Sequence, residues 1–246
     1  MMPLIFETIE NGHRHFRRLP ISIRLRPNDA GEGGAVARPV SVAVLDLQAY
    51  LNRLASAEPT PGGGSAATIV GAFGAALVAM VARITLGSAK HAGVHADAML
   101  LVGDADVLRA QFVAARPADE AAYAAVPQAQ ALPRATEAER AARSERLQTA
   151  LAGAAEAPLH AAALAGELLV LCERAAGLRN MHLMSDVECA LYFGNAALAA
   201  SAANVRINHR FLKDAQLVGN QTQRLRAITD AAHSHELAAR ALVVAG

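Results

Sequence analysis

The sequence predicts an all-α protein, an antiparallel helical bundle of about seven helices with a flexible N-terminal extension, on three observations. The chain is 53% hydrophobic but only 4% aromatic, and Ala is by far its commonest apolar residue. Ala is the best intrinsic helix former, because it loses no side-chain entropy and buries no polar group. Apolar residues recur at helical spacing from Val42 onward, and strand-like alternation is nowhere sustained after Val44.

The 246 residues suit one folded unit. Residues 1–41 stand apart: they hold the basic cluster His13-Arg14-His15-Phe16-Arg17-Arg18 and a Gly-rich loop, and no helical period runs through them. They are expected to form a flexible extension, with the helical domain over 42–246. Arg17-Arg18 is not a twin-arginine export signal, because Arg24 and Arg26 interrupt the apolar stretch such a signal needs.

Within the domain, Leu45, Leu47, Tyr50, Leu51 and Leu54 stripe a first helix that ends near Ala55-Ser56. Pro59-Thr60-Pro61-Gly62-Gly63-Gly64 then forces a loop, and Ser65 is positioned to cap a helix over Ala66–Leu86. That helix is apolar all round. It is long enough to span a membrane, but its Ala and Gly transfer weakly into lipid, so a central helix buried by its neighbours is expected. Gly71, Gly74 and Leu77 on it suit either a subunit interface or an internal packing seam.

Further helices are expected over 94–115 and, after a break at Pro117, over 119–131, with a kink at Pro127. Thr136 and Glu139 form a capping-box pattern for a helix through Ala152, and Pro158 begins another that ends near Gly177. Ser185 to Lys213, capped by Ser185-Asp186, and Leu217 to Val244 complete the bundle.

Composition also bounds function. A net charge of +1 lacks the surplus of Lys and Arg needed to track phosphates, so nucleic acid is not an expected partner. Cys172 and Cys189 can form neither a disulfide framework nor a four-cysteine zinc site, which fits a reducing cytoplasm. His91 and His95 lie four apart without a Glu base or an evident third ligand, and no metal site is expected.

The chemistry-bearing motif is Pro59-Thr60-Pro61-Gly62-Gly63-Gly64-Ser65. Its glycines admit a close backbone approach, and a helix N-terminus behind them offers unpaired N–H groups. It is neither a Walker loop nor a dinucleotide fingerprint. Together with Gly74-Ala75-Ala76-Leu77, Thr85-Leu86-Gly87, Asp119 to Tyr123, Leu132-Pro133-Arg134, Ala157-Pro158-Leu159, Ser185-Asp186, Asn204-Val205 and Asn208, it resembles the cyclodeaminase/cyclohydrolase family of folate enzymes. The likeness runs in order from about Val42 to Gly246.

The resemblance implies an all-α cytoplasmic homodimer acting on the one-carbon bridge of tetrahydrofolate. It implies no metal, no nucleotide and no permanently bound cofactor; the tetrahydrofolate derivative is the substrate. It places Asp119 at the family's catalytic acidic position. It also puts Pro61, Gly62, Gly63, Gly64, Ser65, Lys90, Asn180, Ser185, Asp186, Asn204 and Asn208 at the substrate. Without the resemblance, Asp119 reads as a first-turn residue complementing a helix dipole.

Two departures stand out. Gly87-Ser88-Ala89-Lys90-His91 replaces the family's Gly-Lys-Lys-Lys-Tyr, and Arg179-Asn180-Met181-His182 replaces its Gly-Asn-x-Asn. The expected activity is hydrolysis of 5,10-methenyltetrahydrofolate to 10-formyltetrahydrofolate. It stands ahead of formiminotetrahydrofolate cyclodeaminase, because the residues before the bundle are too few for a formiminotransferase domain. An inactive folate-binding or scaffold relative is the alternative from another class.

Overall fold

The computed structural model describes residues 46–245, together with Ile5–Glu10 (β1) and His13–Arg18 (β2). The two strands pair antiparallel, with Ile5 opposite Arg18 and Glu10 opposite His13. The β-branched and aromatic residues Ile5, Phe6, Thr8 and Ile9 favour that conformation. The rest of the extension expected at residues 1–41 lies outside the described residues.

The helical unit contains α1 (Leu47–Leu54), α2 (Gly63–Leu86), α3 (His95–Gln130), α4 (Glu137–Gly177), α5 (Met184–His209) and α6 (Ala215–Val244). These six helices replace the expected seven or so because two prolines do not end a helix. Pro117 and Pro127 both lie inside α3, and Pro158 lies inside α4. A proline in a helix forfeits one backbone hydrogen bond. Packing over the flanking turns holds each helix through the gap, with Phe112 and Ala115 buried on one side of Pro117 and Leu159 beside Pro158.

Ends are set by local chemistry. Asp46 and Asp214 cap α1 and α6 through their carboxylates, and Thr136 with Glu139 makes the expected capping box on α4. Two expected caps are displaced. Gly62, not Ser65, is the N-cap of α2, and Leu183, not the pair Ser185-Asp186, is the N-cap of α5. Ser65 hydrogen-bonds to Glu120 instead.

Helices α2 to α5 run alternately up and down, with α6 packed against α4 and α5. The direction is fixed by pairs of contacts. Gly64 meets Asp119 and Gly71 meets Phe112 across α2 and α3, while Asn208 reaches Ala154 and Gly194 meets Leu169 across α5 and α4. Phe112, Leu159, Leu168, Leu169 and Leu191 fill the centre. Both α2 and α4 are long and apolar enough to cross a membrane, but 56% and 61% of their most apolar windows are buried in the bundle. The expectation of a buried central helix holds for α2, which packs on α3, α4 and α5.

The glycines of α2 explain how closely its neighbours approach. A methyl group at Gly71 would stand 2.3 Å from Phe112 Cε1, and one at Gly74 would stand 2.6 Å from a Leu168 methyl. Both glycines therefore belong to the internal seam, whereas Leu77 is only partly covered. Gly71→Ala must push a fully buried aromatic ring aside, so it should destabilise the fold by about 1–3 kcal/mol, readable by urea denaturation.

Candidate active site

The spacing of the α2–α3 seam builds the site. Gly64 and Gly71 lie seven residues apart, as do Asp119 and Phe112 on the facing helix, so the two contacts are rungs two turns apart. Phe112 fills its rung with a ring; Asp119 fills the next with a carboxylate. Asp119 is thus in mid-helix, and the first-turn dipole reading does not apply. A methyl at Gly64 would fall 2.4 Å from Asp119 Oδ1, so only glycine admits the carboxylate there.

Asp119 opens into a cavity of about 100 Å³ lined by Gly62, Gly63 and Gly64 at the start of α2, Tyr123 on α3, and Asn204 and Asn208 on α5, with Pro59, Thr60, Ala154 and Pro158. Asn208 Nδ2 donates to the Ala154 carbonyl at 2.7 Å and the Asn204 carbonyl at 3.0 Å, while Asn204 Nδ2 donates to the Ala200 carbonyl at 2.9 Å. Both amide groups are held by backbone, leaving their side-chain oxygens available to a ligand.

Burial, reinforced by the neighbouring Glu120 charge, pushes the Asp119 carboxyl up to about 6, against the opposing pull of the Ser65 backbone N–H. Such a group changes protonation near neutral pH and suits general base and acid work. Behind it runs a hydrogen-bonded chain. Ser65 Oγ donates to Glu120 Oε1 at 2.8 Å and so accepts from the Tyr50 hydroxyl at 2.9 Å; Arg116 Nη1 donates to the same Glu120 oxygen at 2.9 Å. Burial raises the Tyr50 phenol as well, so it remains a proton donor.

The structure therefore gathers Gly62, Gly63, Gly64, Asp119, Asn204 and Asn208 at one cavity, with fully buried Ser65 one layer behind. Pro61, joined to Thr60 by a cis peptide, is buried and does not line the cavity. Lys90 and Asn180 lie elsewhere, in a second cavity of about 620 Å³ with Arg179 and His182 at the C-terminal end of α2. There Asn180 Nδ2 donates to Thr85 Oγ1 at 3.0 Å, and Arg179 holds a left-handed φ of 54°. Ser185 and Asp186 lie in the first turn of α5 and line neither cavity. His91 and His95 both turn to Ser88, and among the described residues no three His, Cys, Asp or Glu side chains converge.

Sequence reasoning missed Tyr50, Arg116 and Glu120 as parts of the site. The spacing of Arg116 and Glu120, four apart, is a legible helix pair. Tyr50 reaches Ser65 only through tertiary folding, and no local signal marks it.

A half-buried carboxylate of raised pKa facing a glycine-lined helix start in an all-α bundle makes this cavity the candidate catalytic site, and the comparisons give the family. Residues 46–227 match the formiminotransferase-cyclodeaminase family, and the chain belongs to it. It is 38% identical over 168 residues to a methenyltetrahydrofolate cyclohydrolase of Methylorubrum extorquens, covering 68% of this chain and 81% of that protein. It is 30% identical over 174 residues to the formimidoyltransferase-cyclodeaminase of Rattus norvegicus, covering 71% of this chain but spanning only 32% of that longer protein. The fold matches the crystal structure of a Thermotoga maritima formiminotetrahydrofolate cyclodeaminase with a TM-score of 0.74, at 24% identity, over 82% of this chain and 97% of that one.

Proposed function

We propose that this protein hydrolyses 5,10-methenyltetrahydrofolate to 10-formyltetrahydrofolate, with Asp119 as the general base and then acid. The observation that carries the reading is the half-buried Asp119 carboxylate, raised to about 6 and facing the open, glycine-lined start of α2. The ionised carboxylate first stabilises the cationic methenyl bridge. It then takes a proton from the water that adds to the bridge carbon and returns it to N5 as the C–N5 bond breaks, while the hydroxyl left on that carbon loses its proton to solvent and becomes the carbonyl of the formyl group on N10. Asn204 and Asn208 offer acceptors to the pterin, and unpaired N–H groups of α2 offer donors to its carbonyl. No step calls for a metal or a permanently bound cofactor.

The likeness to proteins named as cyclodeaminases supports a second reading. There the same carboxylate would move the proton that lets ammonia leave formiminotetrahydrofolate while N10 attacks. Purified protein offered each substrate separates the two: loss of the methenyl absorbance marks the hydrolase, its appearance the deaminase. An unreactive protein would leave the inactive relative. We place the enzyme in the cytoplasm as a homodimer; the free thiols of Cys172 and Cys189 agree with a reducing compartment.

The base is competent only when ionised. Turnover, after subtraction of the uncatalysed rate, should therefore rise with pH and level off above about 6, falling about tenfold per unit below it. A pH–rate profile from 5 to 8 measures this, and a profile flat through 6 would remove Asp119 from the role.

A further inference from the structure

Asp119 is followed directly by a second acid, and the two point different ways. Successive helical residues lie about 100° apart, so with Asp119 facing the cavity, Glu120 turns from it into the junction of α1, α2 and α3. Ser65 stands between the two carboxylates. Its backbone N–H acts on Asp119, while its hydroxyl donates to Glu120 Oε1 at 2.8 Å and accepts from the Tyr50 hydroxyl at 2.9 Å. Its carbonyl accepts from Thr68 Oγ1 at 2.7 Å. Every polar group of this fully buried serine is thus committed, and its position is fixed from three helices.

Stability alone does not call for a charge at Glu120. Its carboxylate pairs with Arg116 at 2.9 Å with the two side chains only 16% and 18% exposed, and Arg116 Nε is buried without a partner. Burying two charges carries a desolvation cost that their attraction seldom offsets, and an orphan donor adds to it; apolar residues of similar size would close the junction at least as well. The surroundings of Asp119 show where the charge acts. Tyr123 of α3, Ala154 and Pro158 of α4, and Asn204 and Asn208 of α5 line the cavity with it and bring no carboxylate, amine or guanidinium. Tyr50 of α1, its phenol raised by burial, stays neutral. Glu120 is the charged group that acts on Asp119, and Arg116 acts on Glu120.

The geometry points to Glu120 as a positioning residue for the base: its carboxylate, anchored by Arg116, fixes Ser65 against Asp119, and its negative charge makes Asp119 hold a proton more strongly than burial alone would. The inference rests on Asp119 being the base of the proposed reaction. A like charge beside a carboxylate opposes its ionisation, and a general base works best when its proton affinity lies near the working pH.

Glu120→Gln tests the charge apart from the shape, because the amide oxygen still accepts from Ser65 and Arg116. The midpoint of the pH–rate profile should fall from about 6 but stay above the ordinary carboxylate range, since the burial remains. At pH 5 the variant should then retain about three- to fivefold more of its plateau turnover than wild type retains of its own. Glu120→Asp returns the charge and should bring the midpoint back towards wild type. Should Glu120→Gln fold poorly with Arg116 left unpaired, Arg116→Gln/Glu120→Gln removes both charges and should show the same downward move. A residue that only ties α1, α2 and α3 together would alter the plateau and leave the midpoint in place. An unmoved midpoint in a folded glutamine variant, or one displaced equally by Glu120→Asp, overturns the inference.

The midpoint is also readable without substrate, from the carbon-13 resonance of the Asp119 carboxyl, assigned by its absence in Asp119→Asn. A resonance that titrates near 6 and moves down in Glu120→Gln, in a wild-type protein that converts neither folate, would uphold the action of Glu120 on Asp119 and sink the proposed function. Folate turnover by wild type, with a resonance that Glu120→Gln leaves unmoved, would keep the reaction and overturn the role of Glu120.

Discussion

Asp119→Asn is expected to lower turnover by about 10²–10⁴-fold, the range that a positioned acid–base group contributes. The substitution keeps the shape of the side chain and its place against Gly64, so the fold should persist. Its stability should even shift in a defined direction. The Asp119 carboxyl is raised to about 6 in the folded protein, so the folded state holds its proton more tightly than the unfolded chain does. Wild-type stability is therefore lost as pH rises from the ordinary carboxylate range through about 6, a loss the neutral amide escapes. Relative to wild type, Asp119→Asn should melt at a higher temperature at pH 8 than the same comparison gives at pH 4. A variant that loses both activity and stability at every pH would mean that Asp119 is structural.

Gly64→Ala is expected to separate activity from stability in the same way, from the opposite side of the contact. The added methyl would lie 2.4–2.8 Å from the three carboxylate atoms of Asp119, and nothing else stands as close. The end of a side chain can move, so the carboxylate shifts and the helices stay. Displacing a catalytic group by about 1 Å costs on the order of 10²-fold in rate. The same change at Gly103, where a methyl meets nothing within 4 Å, should leave turnover unchanged and gain about 0.5–1 kcal/mol of helix propensity. Parallel denaturation curves and turnover rates for the two variants check the contrast. Equal activity in both would show that the rung between Gly64 and Asp119 does not position the base.

Much of this was legible in the chain. The apolar period of α2, the capping box at Thr136, the Pro- and Gly-rich entry to α2 and the order of matching motifs are local features, and local features carry fold class and family. The prolines misled because proline is read as a breaker from backbone chemistry alone. Pro117 and Pro158 sit instead in helices α3 and α4 whose flanking turns are clamped by buried Phe112 and Leu159, and that packing outweighs one missing hydrogen bond. The caps misled for a related reason. Ser65 has the hydroxyl of an N-cap, which would accept from backbone N–H groups, but here it donates to the carboxylate of Glu120, 55 residues away in sequence, and accepts from Tyr50.

By itself the sequence determined the all-α class, the family, the Pro- and Gly-rich entry to α2 and the identity of Asp119 as the acidic residue of interest; that α2 already begins at Gly63, inside the glycine run expected to be loop, came from the structure. Only the tertiary structure decided which predicted residues meet. It joined Asp119, Asn204 and Asn208 at one end of α2 and sent Lys90 and Asn180 to the other, because a straight helix keeps its two ends a full helix length apart. It also decided the state of the carboxylate. The neighbouring charge of Glu120 is written in the sequence, but the burial that does most to raise Asp119 comes from an antiparallel seam between α2 and α3, and a one-dimensional pattern does not contain the register of two helices that touch across 55 residues of chain.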